Sequence, residues 1–116
     1  MAQVFYDHLI DWERLDRELL FLELSSDERL ELLELAEESI HSGILLLICE
    51  QLSRDKHEEF IERFHSAPHE LRHIIYLREH GLDDIERSIR LRSLEVIEEM
   101  VETIRRHDRK KNSAGK

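Results

Sequence analysis

His69-Glu70-Leu71-Arg72-His73 is the stretch of this chain whose residue types and spacing most nearly spell a chemistry. It has the form His-Glu-x-x-His. Two histidines one helical turn apart can share a zinc ion, and the glutamate between them can act as general base on a metal-bound water. With 8 His in the chain, and a still larger number of Glu, chance alone supplies ~0.09 such matches, so the context has to decide. Pro68 places His69 in the first turn of any helix that follows, whereas zincins carry the motif deep inside one. Arg72 puts a charge between the ligands. A third ligand is not evident, because His80 stands seven residues after His73 and not six. Zincins also line their cleft with a sheet edge, and no segment here shows the alternation of a strand.

A second metal chemistry is spelled by Glu-x-x-His pairs, which di-iron bundles draw from two helices together with single glutamates from two others. The chain has three such pairs, Glu38…His41, Glu62…His65 and Glu70…His73. Chance supplies ~1.3 in a chain this rich in both residues. The metal alternative is therefore zinc or iron on His69, Glu70 and His73, with or without the Glu38/His41 pair. The main reading has no cofactor and no catalytic residue. Five histidines, His57, His65, His69, His73 and His80, crowd within 24 residues and read first as surface groups, with helix-end partners for Asp and Glu or a pH-sensitive patch as the alternatives. The lone cysteine, Cys49, follows the apolar run Ile44-Leu-Leu-Leu-Ile and reads as a small buried hydrophobe. It cannot form an internal disulfide, so nothing points to an oxidising compartment.

The elements that must position these groups are all helical. The chain has 116 residues, enough for one core without staples. Only three Gly and one Pro interrupt it. Apolar spacing predicts five helices. The first spans roughly Asp7–Phe21 on Leu9, Trp12, Leu15, Leu19 and Leu20, with Val4, Phe5 and Tyr6 folding back as an apolar clip. The second spans about 26–51, opened by a capping box between Ser25 and Glu28. The third runs from an N-cap at Ser53 to about His65. The fourth starts at Pro68 and stops at Gly81. The fifth spans about 83–106, with Asp83 and Asp84 at its positive end and Ile85, Ile89, Val96, Ile97, Met100, Val101 and Ile104 inside. The expected fold is an all-α bundle of two long and three shorter helices, a single domain over residues 1–104 followed by a basic, disordered tail over 105–116.

Charge narrows the partners. The net charge is −10. Residues 105–116 hold six basic groups against Asp108, or +5, which leaves −15 on the rest. Such a body repels phosphate backbones and anionic lipid, so neither nucleic acid nor membrane is expected as a partner. A third reading is an acidic protein that imitates nucleic acid. The longest apolar run, Ile44 to Cys49, is six residues, against the ~20 a bilayer requires, and a cytoplasmic location follows.

The run Leu22-Glu-Leu-Ser-Ser-Asp-Glu-Arg-Leu-Glu-Leu-Leu, followed by Ile44-Leu-Leu-Leu-Ile-Cys-Glu-Gln-Leu-Ser-Arg-Asp-Lys-His-Glu-Glu-Phe, resembles a family of short acidic helical bacterial domains of unknown function. The resemblance covers residues 20–66. It implies a helical fold and no known catalytic residues.

The functional expectation is a non-enzymatic module that works by protein–protein contact, as a homodimer. From Ile44 onward the second helix is apolar nearly all round, and such a helix needs cover on every side. Ile44, Leu45, Leu46, Leu47 and Ile48, with Met100 and Val101 of the fifth helix, are the expected interface.

Overall fold

The computed structural model describes the backbone of residues 4–114 and the side chains of residues 4–106. Five α-helices make up the fold: α1 Trp12–Leu20, α2 Ser26–Gln51, α3 His57–Ser66, α4 Arg72–Glu79 and α5 Ile85–Ala114. No strand occurs among the described residues. Short 3-10 turns at Asp7–Leu9 and Arg54–Lys56 precede α1 and α3.

The helix boundaries follow local chemistry. Asp11 accepts the Arg14 N–H (3.2 Å) and starts α1 at Trp12. The first helix therefore begins later than the expected Asp7, after a break where Ile10 is extended. The capping box at α2 is present in full: Ser25 Oγ accepts the Glu28 N–H at 3.2 Å, and Glu28 Oε1 accepts the Ser25 N–H at 3.1 Å. Ser53 makes no side-chain cap, and α3 starts at His57, three residues later than an N-cap at Ser53 would set it. Gly81 ends α4 with φ +96°, a conformation that costs a glycine nothing. The Leu82 N–H bonds the Leu77 carbonyl (3.0 Å) and the Gly81 N–H bonds that of Arg78 (3.2 Å). This is a Schellman closure, with Leu82 and Leu77 both buried against the core.

The long helices α2 and α5 are antiparallel. A Cβ at Gly43 would lie 3.2 Å from Val96 Cγ2, while further along α2 Glu50 meets Arg92, earlier in α5. The missing side chain at Gly43 lets the two backbones come close, and the small Ser93 is fully buried nearby in sequence. The helix α1 runs parallel to α5: Arg14 pairs with Glu98 (3.1 Å) and Glu18 with Arg105. The molecule is elongated, 57 × 23 × 21 Å, because a helix of 30 residues is about 45 Å long.

The core is a single seam. Ala36, Ile40, Ile44, Leu47 and Ile48 of α2 face Ile85, Ile89, Ile97 and Val101 of α5, with Leu15 and Leu19 of α1 alongside. Each fully buried Leu or Ile contributes about 1.5–3 kcal/mol relative to exposure. The backbone of α5 stays helical to Ala114, through the residues expected to form a disordered tail. The side chains beyond Arg106 lie outside the described residues. No helix among the described residues is long and apolar enough to cross a membrane.

Candidate functional site

The His-Glu-x-x-His segment does not lie on one helix. After α3 the chain makes a turn: the Glu70 N–H bonds the Ala67 carbonyl (3.2 Å) and the His73 N–H bonds that of Glu70 (3.2 Å). The fourth helix therefore opens at Arg72, not at Pro68. His69 is exposed in the turn, and Glu70 leans toward Arg72 at 4.0 Å. His73 is buried, and its Nε2–H donates to the Ala67 carbonyl at 2.7 Å. The helical spacing that would aim two imidazoles at one ion is absent, because only His73 is helical. Of the other pair, Glu38 is exposed and His41 Nδ1 is held by Tyr6 Oη at 2.7 Å. Among the described residues no group of three His, Cys, Asp or Glu is arranged to hold a metal ion.

What the histidines do is close helix ends. His57 Nε2–H donates to the carbonyl of Leu52, the residue that caps α2, at 2.8 Å. His73 does the same for Ala67, which caps α3. His80 Nδ1–H donates to the Tyr76 carbonyl in the last turn of α4 at 2.8 Å. A carbonyl can only accept, so each ring nitrogen carries a proton. Orphan carbonyls at helix C-termini are the groups that need such donors. The expected surface position holds for His65 and His69, which are exposed, whereas His73 is buried and His57 and His80 are half-buried on main-chain carbonyls and not on Asp or Glu.

Aromatic rings fill the space these clamps enclose. Phe5, Phe64, His73 and Tyr76 all touch Phe60, with centroids 6.2–6.3 Å away. The expected clip is real: Phe5 and Tyr6 are buried, and the Phe5 N–H bonds the Pro68 carbonyl at 2.8 Å. Arg63 lies over the Tyr76 ring, 4.6 Å from its centroid. The Tyr76 hydroxyl is buried without a hydrogen-bond partner among the described residues. Burial raises its pKa, and the nearby Glu59 carboxylate adds to the effect. An open groove of about 500 Å³ separates α3 from the turn before α4, with Glu59, Glu62, Arg63 and Glu70 on its walls. Its charges are of both signs, and Glu59 is engaged by Lys56 and Arg63.

The residues expected to form an interface are mostly inside the chain's own core. Ile44, Leu47, Ile48 and Val101 are buried, and Leu45 and Met100 are half-buried against them. Only Leu46 is exposed. The physical reason is the reach of α5, which runs alongside α2 and covers the apolar half that seemed too rich for one molecule. Cys49 is half-buried and free.

The uncovered apolar surface is elsewhere. Phe21 is 84% exposed and Leu20 is 63% exposed, adjacent at the end of α1. Leu30 and Leu35 of α2 are also exposed. At the other end Ile61, Leu71 and Ile75 are exposed singly on α3 and about α4. The signal for Phe21 was present in the sequence. At 100° per residue it falls on the face opposite Leu19, off the stripe that Leu15 and Leu19 define. Comparison with known protein families, with curated proteins and with solved structures finds no match.

Proposed function

We propose that this chain is a non-enzymatic helical module that works by protein–protein contact, and that its contact surface is the corner between α1 and α2. The observation that carries the reading is Phe21, the most exposed of the large apolar side chains, beside the exposed Leu20. Single exposed apolar residues need no explanation, but two large ones in succession at a corner are a poor use of surface unless something covers them. An exposed aromatic is also the residue type that anchors interfaces, because it buries a large area at little cost in rotamer entropy.

The surroundings set the tone of the contact. Between Asp11 and Glu38 the chain holds 11 acidic and three basic residues. An apolar anchor within an acidic rim suits a partner that is apolar at its centre and basic around it. The test is a photo-crosslinking amino acid placed at Phe21 and, in a second protein, at Glu99 on the exposed face of α5. The reading expects a discrete crosslinked species in native cells from position 21 and none from position 99. Equal yields, or none from either, would remove it.

A further inference from the structure

We infer that the groove between α3 and α4 is a seat for an arginine side chain of a partner peptide, and that Arg63 fills this seat in the free chain. The inference does not depend on the reading of Phe21.

The floor of the seat is the ring of Tyr76. Phe60 stacks on it with centroids 6.3 Å apart. His80 lies 4.2 Å from it and gives its Nδ1–H to the Tyr76 carbonyl. Tyr76 is only 5% exposed, so packing fixes the ring in place. The walls carry an excess of negative charge. The groove of about 500 Å³ shares Glu59, Arg63 and Arg72 with a second open groove of about 320 Å³ that reaches Tyr76. Together the walls hold Glu59, Glu62, Glu70 and Glu79 against Arg63 and Arg72. Such a field favours a cation.

Acidic walls alone would suit any cation, and two observations narrow the choice to a guanidinium. Arg63 already shows the pose. Its guanidinium carbon stands 4.6 Å from the Tyr76 centroid, and its Nε is 3.5 Å from a Glu59 carboxylate oxygen. A flat guanidinium stacks on a ring and offers N–H groups to a carboxylate at the same time, which an ammonium does not. The second observation is that Arg63 fills the seat poorly. Its separation from Glu59 exceeds the about 2.7–2.9 Å of a charge-assisted hydrogen bond. The Tyr76 hydroxyl is buried without a hydrogen-bond partner among the described residues. Burial and then the Glu59 carboxylate raise its pKa, so that carboxylate is close by.

Arg63 is tethered one turn from Glu59 on the same helix, and its side chain is 53% exposed. A guanidinium on a separate chain has no such tether. It can donate to Glu59 and to the Tyr76 hydroxyl oxygen together while Arg63 swings out to solvent. Ile75, exposed on the wall of the second groove, and Leu71, four residues before it, offer apolar contact to the residues that flank the arginine.

The test titrates the full chain with the synthetic peptide acetyl-Gly-Leu-Arg-Leu-Gly-amide and follows the amide shifts of Glu59 and Tyr76. Saturable shifts are expected below about 10 mM peptide. The same peptide with citrulline for arginine keeps the shape without the charge, and should bind at least about 10-fold more weakly. Glu59→Gln should weaken the arginine peptide by about 10-fold and Tyr76→Phe by about 3-fold, with helicity unchanged. The decisive variant is Arg63→Ala. Emptying the seat should tighten binding by about 5-fold, whereas Arg72→Ala removes the same charge without emptying it and should shift affinity by less than about 2-fold. No saturable shifts, equal binding of the citrulline peptide, or an Arg63→Ala protein that binds no tighter than Arg72→Ala overturns the inference. Shifts at Leu20 and Phe21 in place of Glu59 and Tyr76 would overturn it as well, and would leave the contact at the α1–α2 corner standing.

Discussion

At the α3–α4 end, three histidines each give a ring N–H to a main-chain carbonyl and four rings close on Phe60. At the α1–α2 end, Phe21 and Leu20 stand in solvent among carboxylates. The two ends draw on the same residue types, since each has a phenylalanine near a helix terminus. What differs is the neighbours. Phe60 has a clip of N-terminal residues folded over it, whereas only Leu22, Glu23 and Leu24 separate Phe21 from the capping box that starts α2. Apolar surface is closed where the chain has spare length to fold back, and left open where a tight connection uses up every residue.

The comparison breaks most plainly at Phe60. Phe60→Ala should lower unfolding free energy by about 3–5 kcal/mol, the usual range for a buried ring, as read by urea titration. Phe21→Ala should change it by less than about 0.5 kcal/mol, as for ordinary surface positions. Similar losses at both sites would mean that the ends are not different in kind. His73→Ala comes next, with an expected loss of about 2–3 kcal/mol from an unpaired carbonyl and lost ring contacts. Its distinguishing sign is local: the Phe5 amide, bonded to Pro68 across the same turn, should lose protection from hydrogen exchange.

The tyrosines give a pH test confined to the sealed end. Tyr6 and Tyr76 both have pKa values raised above the ordinary 10.0, chiefly by burial. The folded chain therefore holds these protons where the unfolded chain releases them. Their stabilising contribution is complete below pH 10 and is lost as pH rises beyond it, by up to about 1.4 kcal/mol per pH unit for each tyrosine. Tyr6→Phe with Tyr76→Phe should flatten that fall, and an unchanged slope in alkaline denaturation would count against the burial. A modest effect is expected midway between the ends. Gly43→Ala gains about 1 kcal/mol of helix propensity and loses about 1–3 kcal/mol to overpacking on Val96. A net loss below about 2 kcal/mol should follow, recovered by adding Val96→Ala.

Two local signals in the sequence are legible because local bonds decide them. Ser25 with Glu28 and the stop at Gly81 each depend on atoms a few residues apart. The start of α4 was not legible. Pro68 fits a helix's first position, but it fits a turn equally, and the choice fell to His73 reaching back six residues to Ala67. The cover of α2 was not legible for a longer-range reason. The apolar half of α2 looks surplus until the first half of α5 is laid antiparallel beside it, with Gly43 against Val96 and Glu50 against Arg92. Phe21 was passed over because it closes an amphipathic segment in which most neighbours are core.

The hydrogen bond from the Phe5 N–H to the Pro68 carbonyl joins residues 63 positions apart. On a ribosome adding about 5–20 residues per second, Phe5 emerges and then waits about 3–13 seconds before its acceptor has even been made. Until then Phe5 and Tyr6 lack the turn at Pro68 that covers them. The end that is best protected in the finished molecule is thus open for seconds during synthesis.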